Sequence, residues 1–138
     1  MKGTLEAKRE NKGGKMFGTF IKENRLKADL KLREFCRLLD EDASNWSKVE
    51  REVLPPPRDE SKLKRIAGVL GFQENSSEWN TLFDLASVDA GIIPKYITSE
   101  KGIMNMLPVF FRTVGSIKPS PDELEKLIKT LKQEGLYD

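Results

Sequence analysis

The chain contains no histidine, and its 138 residues include one cysteine, Cys36. Without histidine the commonest general base and metal ligand is missing, and a lone cysteine can neither complete a zinc-type cluster nor close an internal disulfide. Apolar runs are short as well. None approaches the roughly 18 residues of a membrane-spanning helix, and no signal-peptide pattern opens the chain, so a cytoplasmic protein is expected. GxGxxG, Walker and GxSxG patterns are absent from the sequence. Carboxylates are plentiful, but they stand at helix starts or beside Lys and Arg, where capping and solvated pairing account for them. No catalytic residues, metal site or cofactor are therefore expected, and the chain does not read as an enzyme. Apolar and polar residues never alternate long enough to propose a strand, which makes the expected fold all α.

What is present is an ordinary globular composition, 38% hydrophobic and 33% charged, at a length near that of one domain. The net charge of +2 is the small difference between 24 basic and 22 acidic residues, so bulk charge points to no particular partner. Its distribution is more informative. Lys2, Lys8, Arg9, Lys12 and Lys15 crowd the first fifteen residues, and further cations run from Lys22 to Arg51. Residues 1–14 hold few apolar side chains and read as a flexible basic tail. Such an arm can follow DNA phosphates, although a plain unstructured terminus explains it more simply.

Helical spacing recurs from Met16 onward. Phe17, Phe20, Ile21 and Leu26 mark a first helix, and Leu32, Phe35, Cys36 and Leu39 fall at i, i+3, i+4 and i+7 of a second. Val53-Leu54-Pro55-Pro56-Pro57 cannot continue a helix and reads as a rigid connector. A fourth helix follows Asp59 or Arg58 with Leu63, Ile66, Ala67 and Leu70 inside and Gly71 at its end. Ser76 or Ser77 caps a fifth, whose stripe runs through Trp79, Leu82, Phe83, Ala86 and Val88. Ser99 starts another, which Pro108 either kinks or divides, and Ser120-Pro121-Asp122-Glu123 opens the last, with Leu124, Leu127, Ile128 and Leu131 on one face.

The stretch Leu32–Glu52, LREFCRLLDEDASNWSKVERE, carries most of the functional information. The second helix is interrupted by Asp40, Glu41 and Asp42, and a third begins with Asp42 or Ser44 as N-cap. That third helix has only Trp46 and Val49 as apolar anchors, which leaves Ala43, Ser44, Asn45, Ser47, Lys48 and Arg51 facing outward. Two short helices across a polar turn, the second thinly anchored and rich in donors and acceptors, read as a helix-turn-helix whose second helix enters the DNA major groove. An ordinary helical hairpin with a solvated face is the competing reading.

Residues 16–72 resemble the Cro/cI-type, or xenobiotic-response-element (XRE) type, helix-turn-helix family. The resemblance rests on FGTFIKENR, LREFC, NWSKVER and LKRIAGVLG, taken in order. It implies a lambda-repressor-like five-helix DNA-binding domain over residues 15–90, with residues 91–138 as a helical C-terminal extension for dimerisation or partner binding. The function it implies is that of a sequence-specific transcriptional regulator, a repressor that binds operator DNA as a homodimer. It also implies a structural ion pair between Arg25 and Glu50. Base-facing positions fall on Asp42, Ala43, Ser44, Ser47 and Lys48, with Arg51 nearer the backbone. Lys48 is the best base reader among them, Ser44 and Asn45 can read a base or a phosphate, and Asp42 is better used as the cap.

Asp40 and Glu41 depart from the family pattern, standing where glycine and an aliphatic residue are usual. Lys31 replaces a common capping Ser or Thr, and Glu52 a frequent glycine. The family binds as dimers, which makes Met104, Met106, Phe110, Phe111, Leu124, Leu127 and Leu131 candidates for an interface, although intrachain packing explains them equally well. More loosely, the ERE-VLPPP junction and LPVFFRTVGSIKPSPDELEKL resemble regulators found beside toxin or metallopeptidase partners. The alternative expectation is accordingly an antitoxin or protein-interaction module in which DNA binding is secondary.

Overall fold

Helices joined by turns make up the computed structural model, which describes residues 16–135, and no strand occurs among the described residues. The fold is all α. The tail expected over residues 1–14 lies outside the described residues. In chain order the helices are α1 (Phe17–Lys27), α2 (Leu32–Leu39), α3 (Ala43–Glu50), α4 (Glu60–Leu70), α5 (Ser77–Ala90), α6 (Lys95–Thr98), α7 (Lys101–Ile117) and α8 (Pro121–Gly135). None of them is long and apolar enough to cross a membrane, among the described residues.

Local chemistry sets several of these boundaries. The Asp42 carboxylate accepts from Asn45 N–H at 3.0 Å and starts α3, and Ser76 Oγ accepts from Trp79 N–H at 3.2 Å to start α5. At α8 the capping is reciprocal. Glu123 N–H donates to Ser120 Oγ at 3.2 Å while Ser120 N–H donates to Glu123 Oε1 at 2.8 Å. Gly71 and Gly91 close α4 and α5 in the left-handed region, where a side chain would be strained.

Two compact units divide the chain, one spanning Met16–Pro94 and the other containing Lys95 onward. In the first unit α1 packs on α3 and α5, α2 on α3 and α4, and α4 on α5. Their shared core is built from Phe17, Ile21, Phe35, Cys36, Leu39, Trp46, Val49, Leu63, Ile66, Ala67, Leu70, Leu82 and Ala86. Each large side chain buried in this way contributes about 1.5–3 kcal/mol. The Phe35 and Trp46 rings meet at 5.7 Å between centroids, joining α2 to α3, and Phe72 folds back beside Phe20 at 5.9 Å. Val88 does not extend the α5 stripe. It is 73% exposed, because two residues beyond Ala86 the helix has turned to its other side.

In the second unit α7 packs against α6 and runs unbroken through Pro108. The proline neither divides the helix nor restarts it, although its ring nitrogen leaves the carbonyl four residues back without the usual donor. The helix begins at Lys101 behind Glu100, two residues after the expected Ser99. No residue from 95 to 133 is buried.

Candidate nucleic-acid interface

Helix α3 is short, and its inner side is narrow. Trp46, Val49 and Glu50 are buried, whereas Ser44, Asn45, Lys48 and Arg51 are exposed. The outward set expected from the sequence is thus split. Ser47 is half-buried, and its Oγ accepts from Arg51 Nε at 3.4 Å. Ala43 is packed against the core rather than presented outward, because it stands three residues before Trp46 on the same side of the helix. The open face therefore consists of Ser44, Asn45, Lys48 and Arg51, with Ser47 at its edge. It combines hydroxyl, amide, ammonium and guanidinium donors, and neither cation forms a salt bridge among the described residues.

The C-terminal end of α3 is fixed from several directions. Arg25 and Glu50 form a two-pronged ion pair, with Nε to Oε2 at 2.8 Å and Nη2 to Oε1 at 2.9 Å. Both residues are buried, and Arg25 Nη1 also donates to the Leu30 carbonyl at 2.9 Å, so one guanidinium ties α1 to α3 and to the turn before α2. Charge-assisted bidentate geometry holds direction as well as distance. Beside it, Gly18 lets the first turn of α1 approach the end of α3 closely. A Cβ there would stand 2.3 Å from the Val49 carbonyl oxygen and 2.7 Å from that of Glu50.

Glu52 adds a further tie just beyond the helix. Its Oε2 accepts from Thr19 N–H at 3.3 Å and from Thr19 Oγ1–H at 2.8 Å. The carboxylate thereby caps the first turn of α1 from a residue distant in sequence, and it also lies where the helix dipole favours negative charge. Glu52 itself has φ +65°, a conformation that suits glycine better. The cap offsets that strain.

The acidic turn is partly neutralised. Asp40 has φ +57° and closes α2, with Glu41 N–H donating to the Cys36 carbonyl at 2.8 Å and Asp40 N–H to that of Arg37 at 3.2 Å. Asp tolerates this left-handed geometry better than most residues other than glycine and asparagine. Glu41, which stands where the resembled family usually has an aliphatic residue, pairs with Lys62 of α4. Arg65 Nη2 donates to the Leu39 carbonyl at 3.0 Å and satisfies one orphan at the end of α2. Asp42 is occupied as the cap of α3. Asp40 is exposed and has no ion-pair partner among the described residues. Lys31 starts α2 without a side-chain cap.

No family model matches the chain, and neither the curated proteins nor the solved structures contain a match. The chemistry of the site must therefore be argued from its own residues. Cys36 is buried, and burial, reinforced by the negative charge of Glu50, pushes its thiol up to about 11; it is an inert core residue. Among the described residues, no cluster of three or more Cys, Asp or Glu side chains is placed to hold a metal ion. An open cleft of about 300 Å³ beside Glu52 and Asp89 also takes in Met16, Phe17, Val53 and Leu54. What the unit presents is a polar helix face on a rigid mount.

Gly18, Thr19, Glu52, Lys62 and Arg65 were not assigned these roles from the sequence. A glycine inside an otherwise helical pattern is a recognised sign of close backbone approach, so Gly18 carried a readable signal. The pairings Thr19–Glu52 and Glu41–Lys62 join positions too far apart in sequence for spacing to reveal them.

Proposed function

We propose that the chain is a sequence-specific DNA-binding transcriptional regulator of the Cro/cI-type family. In this reading α1–α5 form a lambda-repressor-like helix-turn-helix domain, α3 enters the major groove, and the protein represses by occupying operator DNA as a homodimer. The observation that carries the reading is the mounting of α3. Its open side offers Ser44, Asn45, Lys48 and Arg51, while the buried Arg25–Glu50 pair holds its far end. A helix that discriminates base edges must keep its angle, because a bidentate contact to a base tolerates little displacement.

Lys48 can donate to guanine O6 and N7, Ser44 and Asn45 to a base or a phosphate, and Arg51 to the backbone beside them. Asp40 opposes phosphate approach locally, but Glu41 and Asp42 are drawn into an ion pair and a cap. The test is competition binding of the purified chain to the DNA upstream of its own gene and to random duplex, across a salt series. Specific binding should weaken steeply with salt, and Lys48→Ala should relax sequence preference by about 1–3 kcal/mol at one position. Equal affinity for both duplexes at moderate salt would sink the reading.

A second reading, in which the chain is an antitoxin or other protein-interaction module with secondary DNA binding, draws support from α7 and α8. Large apolar side chains on these helices are exposed. Such a surface fits a protein partner, including a toxin or metallopeptidase.

A further inference from the structure

Helix α7 is divided lengthwise into an apolar and a polar side. At about 100° per residue, an unbroken apolar arc of roughly 160° runs from Met106 through Ile117, Phe110 and Ile103 to Phe111 and Met104. All of these but Met104 are exposed, at 44–66%, and Val109 stands outside the arc. Lys101, Asn105, Arg112 and Ser116 occupy the opposite side, and all four are exposed. A helix packed on a protein core normally has an apolar stripe of about 100°. The packing partner α6 is four residues long, too short to cover the wider arc. A helix lying on a bilayer meets a different geometry. With a diameter of about 10–12 Å and its apolar face sunk about 5–10 Å into the boundary of headgroups and acyl chains, roughly half its circumference is in the apolar phase. The arc on α7 has that width.

The charges on α7 indicate which surface fits. Residues 101–120 contain Lys101, Arg112 and Lys118 but no Asp or Glu, in a chain where acids make up 22 of 138 residues. Helix α8 differs at once, opening with Asp122 and Glu123 and continuing with Glu125. Cations unaccompanied by acids are drawn to anionic headgroups, each adding about fivefold to the affinity. The long stems of Lys101 and Arg112 let their charges stay at the headgroups while the helix axis settles at the boundary. Helix α7 is not long and apolar enough to cross a bilayer, which leaves a position along its surface.

We infer that α7 binds an anionic lipid surface, lying along it with the arc from Met106 to Met104 among the acyl chains and Lys101, Arg112 and Lys118 at the headgroups. The residues involved are separate from the open set of α3, so the inference goes beyond the regulatory reading and is tested apart from it. The measurement is flotation of the full chain, without nucleic acid, with vesicles of equimolar phosphatidylserine and phosphatidylcholine and with vesicles of phosphatidylcholine alone. The chain should float with the anionic vesicles, more weakly as salt rises, and bind the neutral ones far less. Phe110→Ser should lower the affinity at least about tenfold, through lost apolar burial. Arg112→Gln should lower it about fivefold on anionic vesicles and leave binding to neutral ones unchanged. Neither variant should shift the unfolding transition of the Met16–Pro94 unit. Failure of the parent chain to float, equal binding to both kinds of vesicle, or indifference to Phe110→Ser would overturn the inference. So would a chain that ignores vesicles and covers α7 only with a second copy or a different protein. Lys48→Ala should leave flotation intact, so loss of DNA specificity with vesicle binding preserved counts against the regulatory reading alone.

Discussion

Trp46 and Phe110 are both aromatic residues on amphipathic helices of one chain, yet the first is 2% exposed and the second 44%. The difference lies in what each helix finds around it. Trp46 meets Phe35 across the α2–α3 turn and sits in a core fed by α1 through α5, whereas α7 has α6 as its packing partner. Apolar residues at helical spacing therefore lead to two outcomes, a closed core in one unit and an open surface in the other. Periodicity shows which face wants covering. It does not say whether the cover comes from the same chain.

The contrast can be broken most severely at the ion pair. Arg25→Ala or Glu50→Ala leaves a buried charge unpaired and should lower the stability of the Met16–Pro94 unit by about 3–5 kcal/mol, read by denaturant titration. Replacing both residues with methionine should recover most of that loss. If the single variants cost no more than a surface pair, the rigid mount is not what holds α3. Gly18→Ala comes next. Relieving the clash with the Val49 and Glu50 carbonyls requires α1 and α3 to separate, at a cost of about 1–3 kcal/mol despite alanine's better helix propensity.

Glu52 gives a finer discrimination, because cap and strain act in opposite directions there. Glu52→Ala loses the bonds to Thr19 and keeps the left-handed backbone, so a loss of about 1 kcal/mol is expected. Glu52→Gly loses the same bonds but removes a backbone cost of order 1 kcal/mol, and should come out close to neutral. Equal losses for both would show that strain at this position is unimportant. The smallest effect belongs to the other side of the comparison. Phe110→Ser should change the unfolding free energy of the Met16–Pro94 unit by less than about 0.5 kcal/mol, while lowering flotation with anionic vesicles.

The residues that made the fold legible are those whose information is local. Spacing at Leu32, Phe35, Cys36 and Leu39, caps at Asp42 and Ser76, and stop signals at Gly71 and Gly91 depend on neighbours within a few positions, and the helices formed where those signals stand. Val88 misled for the same reason, since a stripe can be extended one residue too far, and of the two readings left open at Pro108 the division of the helix falls away, because the proline is accommodated inside it. The Arg25–Glu50 contact came into view through a family resemblance rather than through spacing. Thr19–Glu52, Glu41–Lys62 and the reach of Arg65 to Leu39 are tertiary events, settled by how the helices cross. Ala43 shows the limit on the candidate face itself. Its place three residues before Trp46 marks the inner side, but so small a side chain does not read as an anchor.

The fastening of α3 at its far end has a consequence for how such a chain can change over generations. Arg25, Glu50, Gly18, Thr19 and Glu52 hold the helix, and none of them belongs to the open set Ser44, Asn45, Lys48 and Arg51. Substitutions in that set meet little resistance from folding. Lineages descended from one such chain can therefore exchange these side chains while inheriting the same frame.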